Sequence, residues 1–129
     1  MKVAVDANVP VRALVRDHRA QAASTTKLLT AAELIAIALP CLCELVRVLR
    51  EVYRFQPAAA AIRSLLAAAN FEMNRPAVAA GPVMLHGSGD FADSVIAFEG
   101  HWLSGETFVS FDKNAIALPK PQGQSARLL

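Results

Sequence analysis

Val3-Ala4-Val5 is a short apolar run that stops at Asp6, and Asn8-Val9-Pro10 follows at once. The run reads as a buried strand. Pro10 suits the first turn of a helix, with Asn8 before it as the N-cap. A strand that gives way directly to a helix points to an α/β fold. It also puts Asp6 at a strand's C-terminal end, beside the crevice where open α/β sheets bind ligands. Taken alone, Asp6 reads equally well as a turn residue.

The same unit recurs along the chain. Val9 to Val15 is expected to be a short helix, and Gln21 to Thr30 a second, with His18 solvated between them. Glu33 to Leu39 is a second buried strand, ended by Pro40. From Cys41 to Phe55, Leu42, Leu45, Val46, Leu49 and Tyr53 recur at three- and four-residue steps and form one apolar stripe. Glu44 lies beside that stripe, near the helix start and within reach of Arg47. A helix follows Pro57, a short strand spans Asn70 to Asn74 with Glu72 facing water, and Pro76 opens a small-residue helix. His86-Gly-Ser-Gly-Asp90 is a tight loop. Asp90 is a natural cap for a helix from Phe91 to about Leu103, and Asp93 completes a capping box. Ile96, Ala97 and Trp102 are its expected core residues. Glu106 to Phe111 is another strand, ending at Asp112, and Gln124 to Leu129 supplies an edge strand.

Length and composition limit the classes available. The chain has 129 residues, 54% of them hydrophobic and 19% charged. That supports one folded domain over 1–129 and excludes disorder. The longest apolar stretch, Leu34 to Cys43, is too short to span a bilayer and contains Pro40. Asp6 interrupts any N-terminal signal peptide, so the expectation is a cytoplasmic protein with no membrane partner. Cys41 and Cys43, two residues apart on one helix, point in different directions and read as small buried or half-buried side chains.

Four acids stand at element ends: Asp6, Glu44, Asp93 and Asp112. Clustered carboxylates raise one another's pKa unless a cation neutralises them. Oxygen ligands without His or Cys favour Mg²⁺, with Mn²⁺ as the alternative. With four of the eleven acids in one site, thirteen cations face seven acids elsewhere, a surface charge of +6. A basic exterior around an acidic pocket suits a polyanion held through divalent cations.

Asp-Ala-Asn-Val, Cys-Glu-Leu-Val, Asp-Phe-Ala-Asp-Ser-Val-Ile-Ala and Ser-Phe-Asp-Lys stand in that order, each at an element boundary. In this the chain resembles PIN-domain nucleases, and most closely VapC-type toxins of bacterial toxin–antitoxin pairs. The resemblance covers nearly the whole chain and rests on order and spacing, since no single motif is specific. It implies a three-layer sandwich with a mainly parallel central sheet of four to five strands and helices on both faces. It implies a Mg²⁺-dependent endoribonuclease whose metal-binding and catalytic quartet is Asp6, Glu44, Asp93 and Asp112. Asn8, Asp90 and Ser110 would support it, Ser110 where the family often has Thr. Arg12, Arg16 and Lys113 are candidates for holding RNA backbone, and read equally as solvated charges. No His occupies a motif position, so an activated water is the expected nucleophile. The resemblance further implies an RNA substrate, a homodimer and a VapB-type antitoxin.

Two other phosphoryl-handling folds fit less well. A receiver domain needs paired acids after its first strand, and a haloacid-dehalogenase-type phosphatase needs Asp-x-Asp there; Asp6-Ala-Asn8 satisfies neither. The remaining alternative is a non-catalytic PIN fold that binds RNA or protein.

Overall fold

A computed structural model describes residues 1–53, 60, 63–64, 67–79, 91–117, 123 and 125–129. These fall into two units, Met1–Arg75 and Pro76–Leu129. The chain is mixed α/β, and every described strand pairing is parallel. Among the described residues the strands form a three-stranded sheet in the first unit and a two-stranded sheet in the second.

In the first unit, β1 (Lys2–Ala4), β2 (Leu34–Ala36) and β3 (Phe71–Glu72) lie in the order β1-β2-β3. Being central, β2 is the enclosed strand: Ile35 is fully buried, and Ile37 just beyond it is also buried. β1 is an edge, so the buried strand expected there is only half realised. Val3 and Val5 are half-buried, while Lys2 and Ala4 are exposed. Pairing continues past the strand ends, where Val5 N–H donates to Ala36 O and Ile37 N–H to Glu72 O.

Helix α1 (Asn8–Val15) starts one residue earlier than expected. Its N-cap is Ala7, which has no capping side chain, and Asn8 is the first helical residue. Asp6 explains the difference. Its Oδ1 accepts from Ala7 N–H at 2.7 Å and its carbonyl accepts from Val9 N–H, so Asp6 itself turns the chain. Helix α2 (Arg19–Ala31) is capped by His18, whose Nδ1 accepts from Gln21 N–H at 3.1 Å. His18 is exposed, as expected, but it is not merely solvated. His18→Ala is expected to lower unfolding free energy by about 1 kcal/mol and His18→Asn to restore most of it, read by urea denaturation, because Asn also accepts at this position.

Helix α3 (Leu39–Arg47) carries Pro40 in its first turn and buries Leu42, Leu45 and Val46. It continues as a π-helical turn, Val48–Val52, in which Leu49 is buried and Tyr53 N–H reaches Val48 O. The apolar stripe therefore holds, but the wider π turn shifts its end, and Tyr53 is only half-buried. Asn70 ties the entrance of β3 to the end of α2, donating to Leu29 O and Ala32 O. Glu72 is exposed, as expected. The helix expected after Pro57 and the end of the one after Pro76 lie largely outside the described residues, and the loop 86–90 lies wholly outside them.

In the second unit, α4 (Phe91–Trp102) buries Phe91, Ser94, Val95 and Ala97. Ile96 and Trp102, expected in the core, are 58% and 75% exposed. The helix is apolar on several sides, so periodicity alone did not single out the buried one. It ends in a left-handed Ser104 (φ 77°), with Ser104 N–H donating to His101 O and Gly105 N–H to Gly100 O. Gly105 is required here, since a Cβ would lie 2.8 Å from Gly100 O. β4 (Thr107–Ser110) pairs in parallel with β5 (Ser125–Leu128). Helix α5 (Lys113–Ala117) follows β4 and buries Ala115 and Ile116. Phe111, expected within the strand, lies beyond β4 and is 81% exposed.

Candidate active site

In the first unit, parallel pairing of β1 and β2 brings the β1–α1 turn and the start of α3 to the same sheet edge. Asp6 leaves the end of β1 and is exposed. Its Oδ1 is fixed by Ala7 N–H, whereas Oδ2 has only a long contact of 3.5 Å from Asn8 Nδ2. Lone pairs on Oδ2 thus remain available to an electrophile.

Cys41, in the first turn of α3, links the two elements. Its thiol reaches Val5 O at 3.5 Å, and burial, followed by the negative charge of Asp6, pushes that thiol above its ordinary range. Asp6 thus lies close to the first turn of α3. Glu44 is one turn further along the helix, so topology brings Asp6, Asn8 and Glu44 to one edge of this unit. Both cysteines are free.

Glu44 is exposed and tightly paired. Arg47 Nη2 donates to Oε1 at 2.7 Å and Nε to Oε2 at 3.2 Å, the i,i+3 pair anticipated from the sequence. These hydrogen bonds hold the Glu44 carboxyl below its ordinary range, partly offset by desolvation. A carboxyl depressed in the folded state contributes stability above its unfolded pKa and loses it as pH falls through the folded value. Both side chains are about half exposed, so that contribution is small. Arg47→Ala is expected to move the Glu44 titration midpoint upward, read from its side-chain carboxyl resonance, while leaving the fold intact.

In the second unit, Asp112 follows β4 as Asp6 follows β1. Its Oδ1 accepts from Asn114 N–H at 2.8 Å and caps α5, while its own N–H donates to Ser110 Oγ at 3.0 Å. Ser110 therefore contacts the Asp112 backbone amide, not its carboxylate. Asp112 is exposed, and Asp93 is a half-buried acid in the first turn of α4. The quartet thus divides two and two between the units. Asp90 lies outside the described residues. Among the described residues, no group of three or more His, Cys, Asp or Glu is placed to hold a metal ion.

The three basic candidates differ. Arg12 is firmly engaged: Nη1 donates to Asp17 at 2.6 Å and to Tyr53 Oη at 3.2 Å, and Nε donates to Gln21 Oε1 at 2.7 Å. Arg16 is exposed at the left-handed C-cap of α1, and Lys113 is exposed at the start of α5. The roles of Cys41 and Tyr53 beside these residues had no signal in spacing, because both contacts join elements distant in sequence.

No family model and no curated protein matches the chain.

Proposed function

We propose that the chain is a Mg²⁺-dependent endoribonuclease with a PIN-like sandwich fold, working as a VapC-type toxin. The observation that carries this reading is a repeated placement. A parallel strand in each unit ends at an exposed carboxylate, Asp6 after β1 and Asp112 after β4. Each unit adds a second acid on a helix, Glu44 and Asp93 respectively. Four carboxylates offer only oxygen donors, the donor type that hard divalent cations take. No nitrogen or sulfur donor from this set competes, which fits Mg²⁺ or Mn²⁺ rather than zinc.

In each unit the strand-end acid, Asp6 or Asp112, would be the more rigid ligand, because a backbone amide already fixes one of its oxygens. Glu44 would join only by exchanging some of its Arg47 contact for the metal, and Arg47, still 3.8 Å from Glu51, would then have donors to offer phosphate. When bound, the cation supplies Lewis-acid activation of water and offsets charge on the scissile phosphoryl group. Asn8, whose amide reaches Asp6 Oδ2, would hydrogen-bond a water there, and Ser110 would steady the backbone at Asp112. The same reading makes RNA the substrate and a VapB-type antitoxin and a second copy the partners. The exposed Ile96, Trp102 and Leu103 offer apolar surface that an assembly could cover.

The test is cleavage of a labelled RNA mixture by purified protein in Mg²⁺ or EDTA, with Asp93→Asn in parallel. Cutting that needs the metal and disappears in the variant supports the reading. Metal-independent cutting by both samples overturns it. RNA binding without cutting by folded protein moves the chain to the non-catalytic alternative.

A further inference from the structure

A groove of about 470 Å³ opens in the first unit between α1 and α2, lined by Asn8, Val9, Arg12, Gln21, Ser24 and Thr25, with Ala20 at its side. Its size is within the range of small-molecule sites. Asn8 joins it to the candidate active site, since the same side-chain amide reaches Asp6 Oδ2.

The polar groups in the groove are arranged by contacts already described. Arg12 can only donate, so its 2.7 Å bond to Gln21 fixes the Gln21 amide with oxygen toward Arg12. The exposed Gln21 NH₂ group is thereby turned away from Arg12 and left as a donor with no partner among the described residues. Thr25 is 8% exposed, and its hydroxyl makes no hydrogen bond to a described residue. No fully enclosed side-chain oxygen or nitrogen among the described residues lacks a partner. The Thr25 hydroxyl must therefore reach the groove surface, where a ligand can meet it. Asp17 largely compensates the Arg12 charge at 2.6 Å, which disfavours a phosphate as the occupant. Val9 and Ala20 provide apolar contact for a flat ring.

We infer that this groove is a nucleobase subsite that reads the RNA base beside the bond cut at Asp6. A base edge supplies acceptors for the Gln21 NH₂ and a donor or acceptor for Thr25, while its ring lies against Val9 and Ala20. This rests on the ribonuclease reading for its role, and on the groove alone for binding.

Two variants separate chemistry from fold. Gln21→Glu keeps an acceptor toward Arg12 but removes the NH₂ donor. Thr25→Val keeps the shape and removes the hydroxyl. Binding is measured in EDTA by chemical-shift titration with each of four trinucleotides, A₃, C₃, G₃ and U₃, and cut-site preference by sequencing products of a random RNA pool in Mg²⁺. The wild type is expected to favour one base, with Gln21 and Thr25 resonances shifted, and each variant to lose up to about tenfold for that base, the worth of one hydrogen bond. The cut-site preference should flatten at one position next to the scissile bond. If the wild type cuts with metal and both folded variants keep its base preference and trinucleotide affinity, the subsite is overturned and the nuclease stands. If nothing cuts but the trinucleotide titration behaves as expected, the subsite stands as a base-binding groove and the nuclease reading falls. If trinucleotides leave Gln21 and Thr25 unshifted, the subsite is overturned whether or not RNA is cut.

Discussion

Asp6→Asn is expected to reduce Mg²⁺-dependent RNA cleavage by more than about a hundredfold, above the 10–100-fold typical of losing an outer-shell partner of a metal ligand. The fold should hardly notice. Asp6 is exposed, and an Asn Oδ1 can still accept the 2.7 Å hydrogen bond from Ala7 N–H that turns the chain into α1. Urea denaturation should therefore place the variant within about 0.5 kcal/mol of wild type, the usual range for a surface substitution. A second readout is independent of RNA. The Asp6 charge helps hold the Cys41 thiol in its neutral form, so its removal should quicken alkylation of Cys41, followed in a Cys43→Ser background. The acceleration should be modest, because burial is the larger cause and remains. Loss of cleavage with unchanged stability and faster alkylation places the effect at the β1 exit. Unchanged cleavage would remove Asp6 from the site and the quartet with it.

What could be read from the sequence depended on whether a signal was local. The stripe of α3 was legible because Leu42, Leu45, Val46 and Leu49 face one side within three turns, and all four are buried. The Glu44–Arg47 pair was legible for the same reason, being one turn apart. Parallel strands leading into helices were legible from the alternation itself. The N-terminus of α1 was misjudged because Asn8 has the right chemistry for a cap, yet Asp6 already turns the chain. Ile96 and Trp102 were misassigned because α4 carries apolar residues around much of its circumference, so composition could not say which side is covered. β1 reads as a buried strand because Val-Ala-Val is apolar, but among the described residues it is paired on one side only, a property of the sheet order that no single strand encodes. The candidate site was legible to the level of its acids. Arg12 gathering Asp17, Gln21 and Tyr53 was not, since it joins residues up to 41 positions apart.

Leu45→Ala is expected to cost about 2–5 kcal/mol, the range for truncating a buried Leu. Leu45 is fully buried on α3 between Leu42 and Leu49, themselves fully buried, so the lost side chain leaves a cavity in a rigid helical face. Against a total stability of about 5–15 kcal/mol for a domain, that is a large share. Leu45→Met, which conserves volume, should cost less than about 1.5 kcal/mol. Chemical denaturation read by circular dichroism measures both. The position is informative because Leu45 follows Glu44 in sequence while facing the core rather than the sheet edge. Its truncation should weaken cleavage only through the folded fraction, so activity should recover on modest cooling or on adding a stabilising osmolyte. Asp6→Asn should show no such recovery, because its defect lies in a folded molecule that lacks a ligand. If Leu45→Ala were as stable as wild type, α3 would not be packed as described, and the placement of Glu44 beside the β1 exit would fail with it.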